Sequence, residues 1–219
     1  MKTIAILGCG WVGSALKKSM ENEPNKHYVV NCLTRDMVHN KKQNLYECDT
    51  LLIAIPPREN YIETLKLTLQ EVKNDTQVIL LSSTSFYKEK PLVVEAEKLL
   101  KEHLILRLGG LMGYNRIAGK YTAGKTKAHD APVNYVHQDD VVAIIKQCIE
   151  KNIKKELFDV VAPKHPLQSE IYARNAKDFG WEATYFESKE VLGRVISPTK
   201  LIETLHYTFL KEDPIAFWS

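Results

Sequence analysis

Short apolar runs alternate with stretches of helical periodicity through the first half of the chain, and a chain written this way has few options. It winds a parallel sheet with crossover helices packed on its faces. The strand candidates cover residues 3–7, 28–33, 50–55 and 77–82, all β-branched or wholly apolar, as strands buried on both faces must be. Between them Val12, Ala15, Leu16, Ser19 and Met20 fall on one face of a helix. Ile62, Leu65, Leu69 and Val72 mark a second helix, and Val94, Ala96, Leu99 and Leu100 a short third.

The second half loosens this pattern. Residues 104–108 and 157–161 read as further strands, and Val141, Ile144, Ile145, Cys148 and Ile149 as a helix stripe with Asp139 or Asp140 at its cap. A helix from about Ser169 stops at Gly180, a natural left-handed cap. Ser197-Pro198 reads as the N-cap and first residue of a last helix that buries Leu201, Ile202 and Leu205. Residues 109–130 carry no periodicity and read as a long irregular loop, basic at Arg116, Lys120, Lys125 and Lys127.

Composition removes several classes of function. A net charge of +3, with lysines scattered in pairs such as Lys17-Lys18 and Lys154-Lys155, makes no concentrated basic face, so nucleic acid is not an expected partner. No apolar stretch is long enough to span a bilayer, and membrane is not expected either. The apolar run from Ile4 to Cys9 imitates an export signal but is too short for a signal core, which leaves a cytoplasmic location as the expectation. Cys9, Cys32, Cys48 and Cys148 contain no C-x-x-C pair, so no metal site is expected and all of them read as free thiols in a reducing cytosol.

Chemistry enters at Gly8-Cys9-Gly10-Trp11-Val12-Gly13, a G-x-G-x-x-G pattern lying directly between the first strand and the first helix. In that context the first glycine permits a tight turn, the second lets a pyrophosphate approach the backbone, and the third lets the helix pack on the strand. Gly8, Gly10, Trp11, Val12 and Gly13 are therefore assigned to a dinucleotide diphosphate, held at the positive end of the helix. No Gly-Lys-Ser/Thr follows, which excludes a kinase-type phosphate loop. At the end of the second strand stand Thr34 and Arg35, where an acid would take the ribose 2′-hydroxyl of NAD. Arg35 suits a 2′-phosphate, so NADP is the favoured cofactor, while Asp36 keeps NAD open. Ile55 and Pro56 end the third strand where the adenosine half would pass. Arg107 closes an apolar strand, and a charge there must be paired or exposed at the ligand-binding edge, which makes it a substrate-binding candidate. The expected architecture is an α/β, Rossmann-type doubly wound parallel sheet, a single domain over residues 1–219. A small C-terminal substrate lobe would come from about 110–135 and 163–219.

Three further segments appear in order. They are Leu81-Ser82-Ser83-Thr84-Ser85-Phe86-Tyr87, Leu106-Arg107-Leu108-Gly109-Gly110-Leu111-Met112-Gly113 and Asn134-Tyr135-Val136-His137-Gln138-Asp139-Asp140-Val141. Together they resemble the extended short-chain dehydrogenase/reductases of the NAD-dependent epimerase/dehydratase superfamily, across nearly the whole chain. The resemblance implies cofactor contacts at Ser82, Leu108 and Gly109, a substrate contact at Gly110, and hydroxyls that orient the substrate at Ser83 and Thr84. It also exposes a gap: the family's Tyr-x-x-x-Lys pair, which matches a proton transfer to the hydride transfer, is missing. Tyr87, Tyr121 and His137 are the candidate substitutes, although His137, just before a helix, also suits a structural hydrogen bond.

Three accounts stay open. One is an oxidoreductase or epimerase/dehydratase-like enzyme acting on a small polar or anionic substrate, with Arg116 and Lys125 of the basic loop helping to hold it. Another is a non-catalytic NADP-binding sensor or scaffold. A third is a relation to imine or six-carbon-acid reductases, weakened because too few residues follow the sixth strand for their helical domain. Pairing of two copies into a homodimer is left open.

Overall fold

The computed structural model describes residues 1–24, 27–40 and 46–218. In chain order the elements begin with β1 (Lys2–Leu7), α1 (Trp11–Glu21), β2 (Tyr28–Leu33), α2 (Arg35–His39), β3 (Thr50–Ile53), α3 (Tyr61–Glu71), β4 (Gln77–Ser83) and α4 (Pro91–Leu99). There follow β5 (Leu104–Leu108), β6 (Gly110–Met112), β7 (Thr126–Lys127), β8 (Tyr135–His137), α5 (Gln138–Glu150), β9 (Glu156–Val160), α6 (Gln168–Phe179), β10 (Tyr185–Phe186) and α7 (Thr199–Leu205).

The chain divides into two compact units, residues 1–107 with 142–158 and residues 108–141 with 159–219. The expected lobe segments fall inside the second of these. In the first, a parallel six-stranded sheet runs in the order β2-β1-β3-β4-β5-β9, the doubly wound arrangement. Its central strands are buried over most of their length: Ile4, Ile6, Leu51, Leu52, Ile79 and Leu80 have no exposed surface, and Leu65 of α3 packs in one cluster with Leu51 and Leu80. The register pairs Leu7 with both Leu33 and Ile53, and Ile53 with Leu80. The first three strands end level in this register, so Gly8, Thr34 and Ala54 follow at one edge of the sheet, and β4 runs on past them to Ser83.

The second unit is built on smaller pieces. Strands β6 and β8 pair in parallel, as do β7 and β10. A minor core gathers Ala118, Val133, Ile171 and Tyr172.

Several expectations need correction. The segment 109–130 is not a structureless loop, since it contains β6, a 3-10 turn at Lys120–Thr122 and β7. The third strand ends at Ile53 rather than 55, with one further bond from Ala54 N–H to Leu7 O before Pro56 and Pro57, which have no N–H to give. Asp139 and Asp140 lie inside the first turn of α5 rather than ahead of it. The last helix starts at Thr199, one residue after Pro198, with its Thr199 N–H donating to Ser197 Oγ at 3.2 Å.

Candidate functional site

The glycine loop has a division of labour that its backbone explains. Gly8 holds φ at +102°, and a Cβ there would stand 2.9 Å from Ile55 Cγ2. A Cβ on Gly13 would stand 2.5 Å from the carbonyl oxygen of Gly8, so only hydrogen lets α1 pack this close to the loop. Gly10 differs from both. It is exposed, it is the N-cap of α1, and a Cβ there would meet nothing within 4 Å. No acidic residue occupies the first turn of α1, leaving the positive end of the helix without a resident anion. Ser14 Oγ donates to Cys9 O at 2.7 Å and steadies the loop from the helix side.

Cys9 and Cys32 are joined as a disulfide with their Cα atoms 5.7 Å apart, which overturns the expectation that all of the cysteines are free. Cys48 and Cys148 are the free ones, and burial raises their thiol pKa values to about 11 and about 12.

At the end of β2, Thr34 caps α2 by accepting Met37 N–H at 3.3 Å, and Arg35 is the first residue of that helix. The Arg35 guanidinium donates from Nη1 to Glu59 O at 2.8 Å and from Nη2 to Pro56 O. The fold therefore gathers Gly8, Thr34, Arg35, Ile55 and Pro56 around one stretch of the sheet edge. A guanidinium has five N–H donors, and these two bonds fix its place without using them all.

The segment after β4 behaves otherwise. Ser82 Oγ donates to Glu97 Oε1 at 2.6 Å, and Glu97 receives Arg107 through Nε at 3.0 Å and Nη2 at 2.6 Å. Arg107 Nη1 donates to Tyr87 Oη at 3.2 Å, and its guanidinium carbon lies 3.6 Å from the centre of the Phe86 ring. Burial would depress the guanidinium pKa, but the bonds and charge of Glu97, with Tyr87 behind them, hold it above its ordinary value. Ser83 Oγ accepts Ser85 N–H at 3.1 Å and starts the 3-10 turn Thr84–Lys88 that carries Thr84 and Tyr87.

Glu97 was not singled out from the sequence, yet a signal existed. Val93, Ala96, Glu97 and Leu100 share one helical stripe and all are buried, so a carboxylate on that stripe required a buried cation.

In the second unit, His137 is 3% exposed and lies between the rings of Tyr114 and Phe217, each centred 5.3 Å away. Its Nδ1 accepts Asp139 N–H at 3.3 Å, and burial lowers its pKa, which favours the neutral ring. Gly113 is required beside it, because a Cβ there would stand 2.4 Å from His137 Nε2. Asp140, fully buried, accepts Tyr207 Oη at 2.8 Å, Leu210 N–H at 2.7 Å and Lys211 N–H at 3.0 Å. Asn134 likewise donates to Arg194 O and accepts Ile196 N–H. The motif residues around His137 thus pin the C-terminal segments. Gly109 is demanded by the backbone of Asn134, whose carbonyl oxygen would lie 2.3 Å from a Cβ. Leu108 is buried at the end of β5, Gly110 opens β6, and Tyr121, Arg116 and Lys125 are exposed.

Among the described residues no group of three or more His, Cys, Asp or Glu side chains is placed to hold a metal, and no helix is long and apolar enough to cross a membrane.

The fold is that of the extended short-chain dehydrogenase/reductases and NAD-dependent epimerases/dehydratases. ADP-L-glycero-D-manno-heptose-6-epimerase of Helicobacter pylori superposes with a TM-score of 0.74 at 16% identity, covering 99% of this chain and 93% of the epimerase. The human epimerase family protein SDR39U1, solved with NADPH, superposes at 0.72 with 15% identity over 99% and 97% of the two chains. In sequence the chain is similar to protein YeeZ of Escherichia coli, 24% identical over 98% of each protein. No protein-family model matches.

Proposed function

We propose that the chain is an NADP(H)-binding oxidoreductase of the epimerase/dehydratase type, acting on a small polar or anionic substrate. The single observation that carries the dinucleotide is the glycine loop. Two of its glycines are fixed by close contact and the third is left open over a helix N-terminus. The backbone from Gly10 to Gly13 would receive the diphosphate, Ile55 and Pro56 would flank the adenosine, and Arg35 would take the 2′-phosphate by charge-assisted bonds. Bound nicotinamide supplies or accepts the hydride.

The protein must then move a proton. We assign that role to Tyr87, whose hydroxyl oxygen accepts a hydrogen bond from the Arg107 Nη1 cation. Ser83 and Thr84 orient the substrate, and Ser82 completes the cofactor assignment within the same unit. His137 is a poor proton carrier, being held between two rings with Nδ1 committed. A cytoplasmic location fits such a protein.

A second reading, cofactor binding without turnover, has its own support. Ser83 Oγ is used within its turn, and Arg107 is bound by Glu97 rather than presented to substrate. Calorimetric titration with NADPH and with NADH tests the shared part. NADPH is expected to bind the more tightly, and failure of both to bind to the oxidised and to the reduced protein alike would remove both readings.

A further inference from the structure

The disulfide lies inside the glycine loop, and nothing in the proposed chemistry uses it. Cys9 stands between Gly8 and Gly10, one residue ahead of the N-cap of α1. Cys32 is on β2, in register with Ile6 and two residues before Thr34. Their Cα separation of 5.7 Å falls within the usual range for a disulfide, so the fold brings the two thiols within bonding reach. The strip between them has a particular value on the dinucleotide reading. The diphosphate would sit on the loop and the 2′-position of the adenosine ribose at Thr34 and Arg35, so the ribose has to pass between Cys9 and the end of β2.

We propose that Cys9 and Cys32 form a reversible redox gate on the dinucleotide site, open as the dithiol and closed as the disulfide. This rests on the dinucleotide reading above. The bond ties the loop to β2 across the path of the ribose, and its reduction frees the loop to accept the nucleotide. Both cysteines are partly exposed and within reach of a small dithiol. The other two cysteines are poor competitors, because burial holds both in the thiol form. A reversible disulfide of this kind is also the sort that reducing compartments contain.

The step balances as thiol–disulfide exchange. A thiolate of an external dithiol attacks one sulfur of the pair and displaces the other cysteine as a thiolate, which takes up a proton. The second thiol of the reagent then attacks the mixed disulfide, releasing the remaining cysteine and leaving the reagent as a cyclic disulfide. Two electrons pass from reagent to protein, and closure is the reverse with a disulfide oxidant.

The test titrates NADPH into the full chain, once after reduction with dithiothreitol and once after oxidation with glutathione disulfide, the bond being verified by peptide mapping. The reduced protein should bind roughly 5- to 150-fold more tightly, the span of ordinary site coupling. By reciprocity, saturating NADPH should make the pair easier to reduce by the same factor, about 30 mV for each tenfold, read by alkylating the freed thiols. The Cys32→Ser protein, which cannot close, should bind NADPH equally after either treatment. Equal affinity of the oxidised and reduced parent overturns the gate and leaves the dinucleotide reading intact. Failure to form the Cys9–Cys32 bond under oxidant also overturns the gate. Absence of binding in both states overturns the dinucleotide reading and the gate with it.

Discussion

The glycine loop and the Glu97–Arg107 cluster stand at the carboxyl edge of one sheet, but their polar groups are turned to different ends. In the loop, Gly10 leaves open space above a helix N-terminus, and Arg35 is steadied by two backbone carbonyls. In the cluster, Ser82, Glu97, Arg107 and Tyr87 bond to one another in succession, with Phe86 stacked on the guanidinium. On the dinucleotide reading the first arrangement is completed by the bound ligand. The second is complete in itself, and it fixes the turn that carries Ser83, Thr84 and Tyr87. Ligand binding should therefore be sensitive to the loop, and stability to the cluster.

The largest effect should come from breaking the cluster. Arg107→Met leaves Glu97, 5% exposed, without its cation, and a broken buried pair costs about 3 to 5 kcal/mol, measurable by urea unfolding. Pairing it with Glu97→Leu should recover much of that loss, whereas an equally unstable double variant would mean that the pair is not the source.

Arg35 tests the other side of the comparison. A charge-assisted hydrogen bond contributes ~1.5 to 3 kcal/mol. Arg35→Ala should therefore lower NADPH affinity ~10- to 100-fold and leave NADH almost unchanged. Equal loss for both cofactors would mean that Arg35 serves only to hold the chain at Pro56 and Glu59.

A smaller and pH-dependent effect is expected at His137. Its pKa is lowered in the folded protein, chiefly by burial, so the unfolded chain binds the proton more readily. Stability from this residue is present above the ordinary value of 6.5 and declines as pH falls below it, by no more than about 1.4 kcal/mol per pH unit. His137→Gln should flatten the pH dependence of the urea midpoint between pH 7 and pH 5, and an unchanged slope would show that His137 does not carry it.

How much of this was legible in the sequence differs between the same two regions. The loop was legible because its glycines report backbone needs that any reader of a strand–glycine–helix junction can state. The main strands were legible too, with 28–33 and 104–108 matching β2 and β5; β5 is buried at every residue, where composition has almost no choice, while the half-exposed edge strand β2 was read from its run of Val29, Val30 and Leu33. Helix α2 escaped because Arg35–His39 is too short to display a period. The disulfide escaped because Cys9 and Cys32 are neighbours only through the pairing of β1 with β2. The partners of Asp140 and Asn134 come from about sixty residues away or more, through contacts that no local pattern encodes.

The dinucleotide assignment is tested most directly by Gly10→Val read against Gly13→Val. A Cβ at Gly10 would meet no protein atom within 4 Å, whereas at Gly13 it would drive into the carbonyl of Gly8 at 2.5 Å. Gly13→Val should therefore lose stability by ~1 to 3 kcal/mol as an overpacked site. Gly10→Val should keep the parent's urea midpoint and lose NADPH binding, since its side chain fills only the space a diphosphate would take. A folded Gly10→Val protein that binds NADPH as tightly as the parent would contradict the assignment.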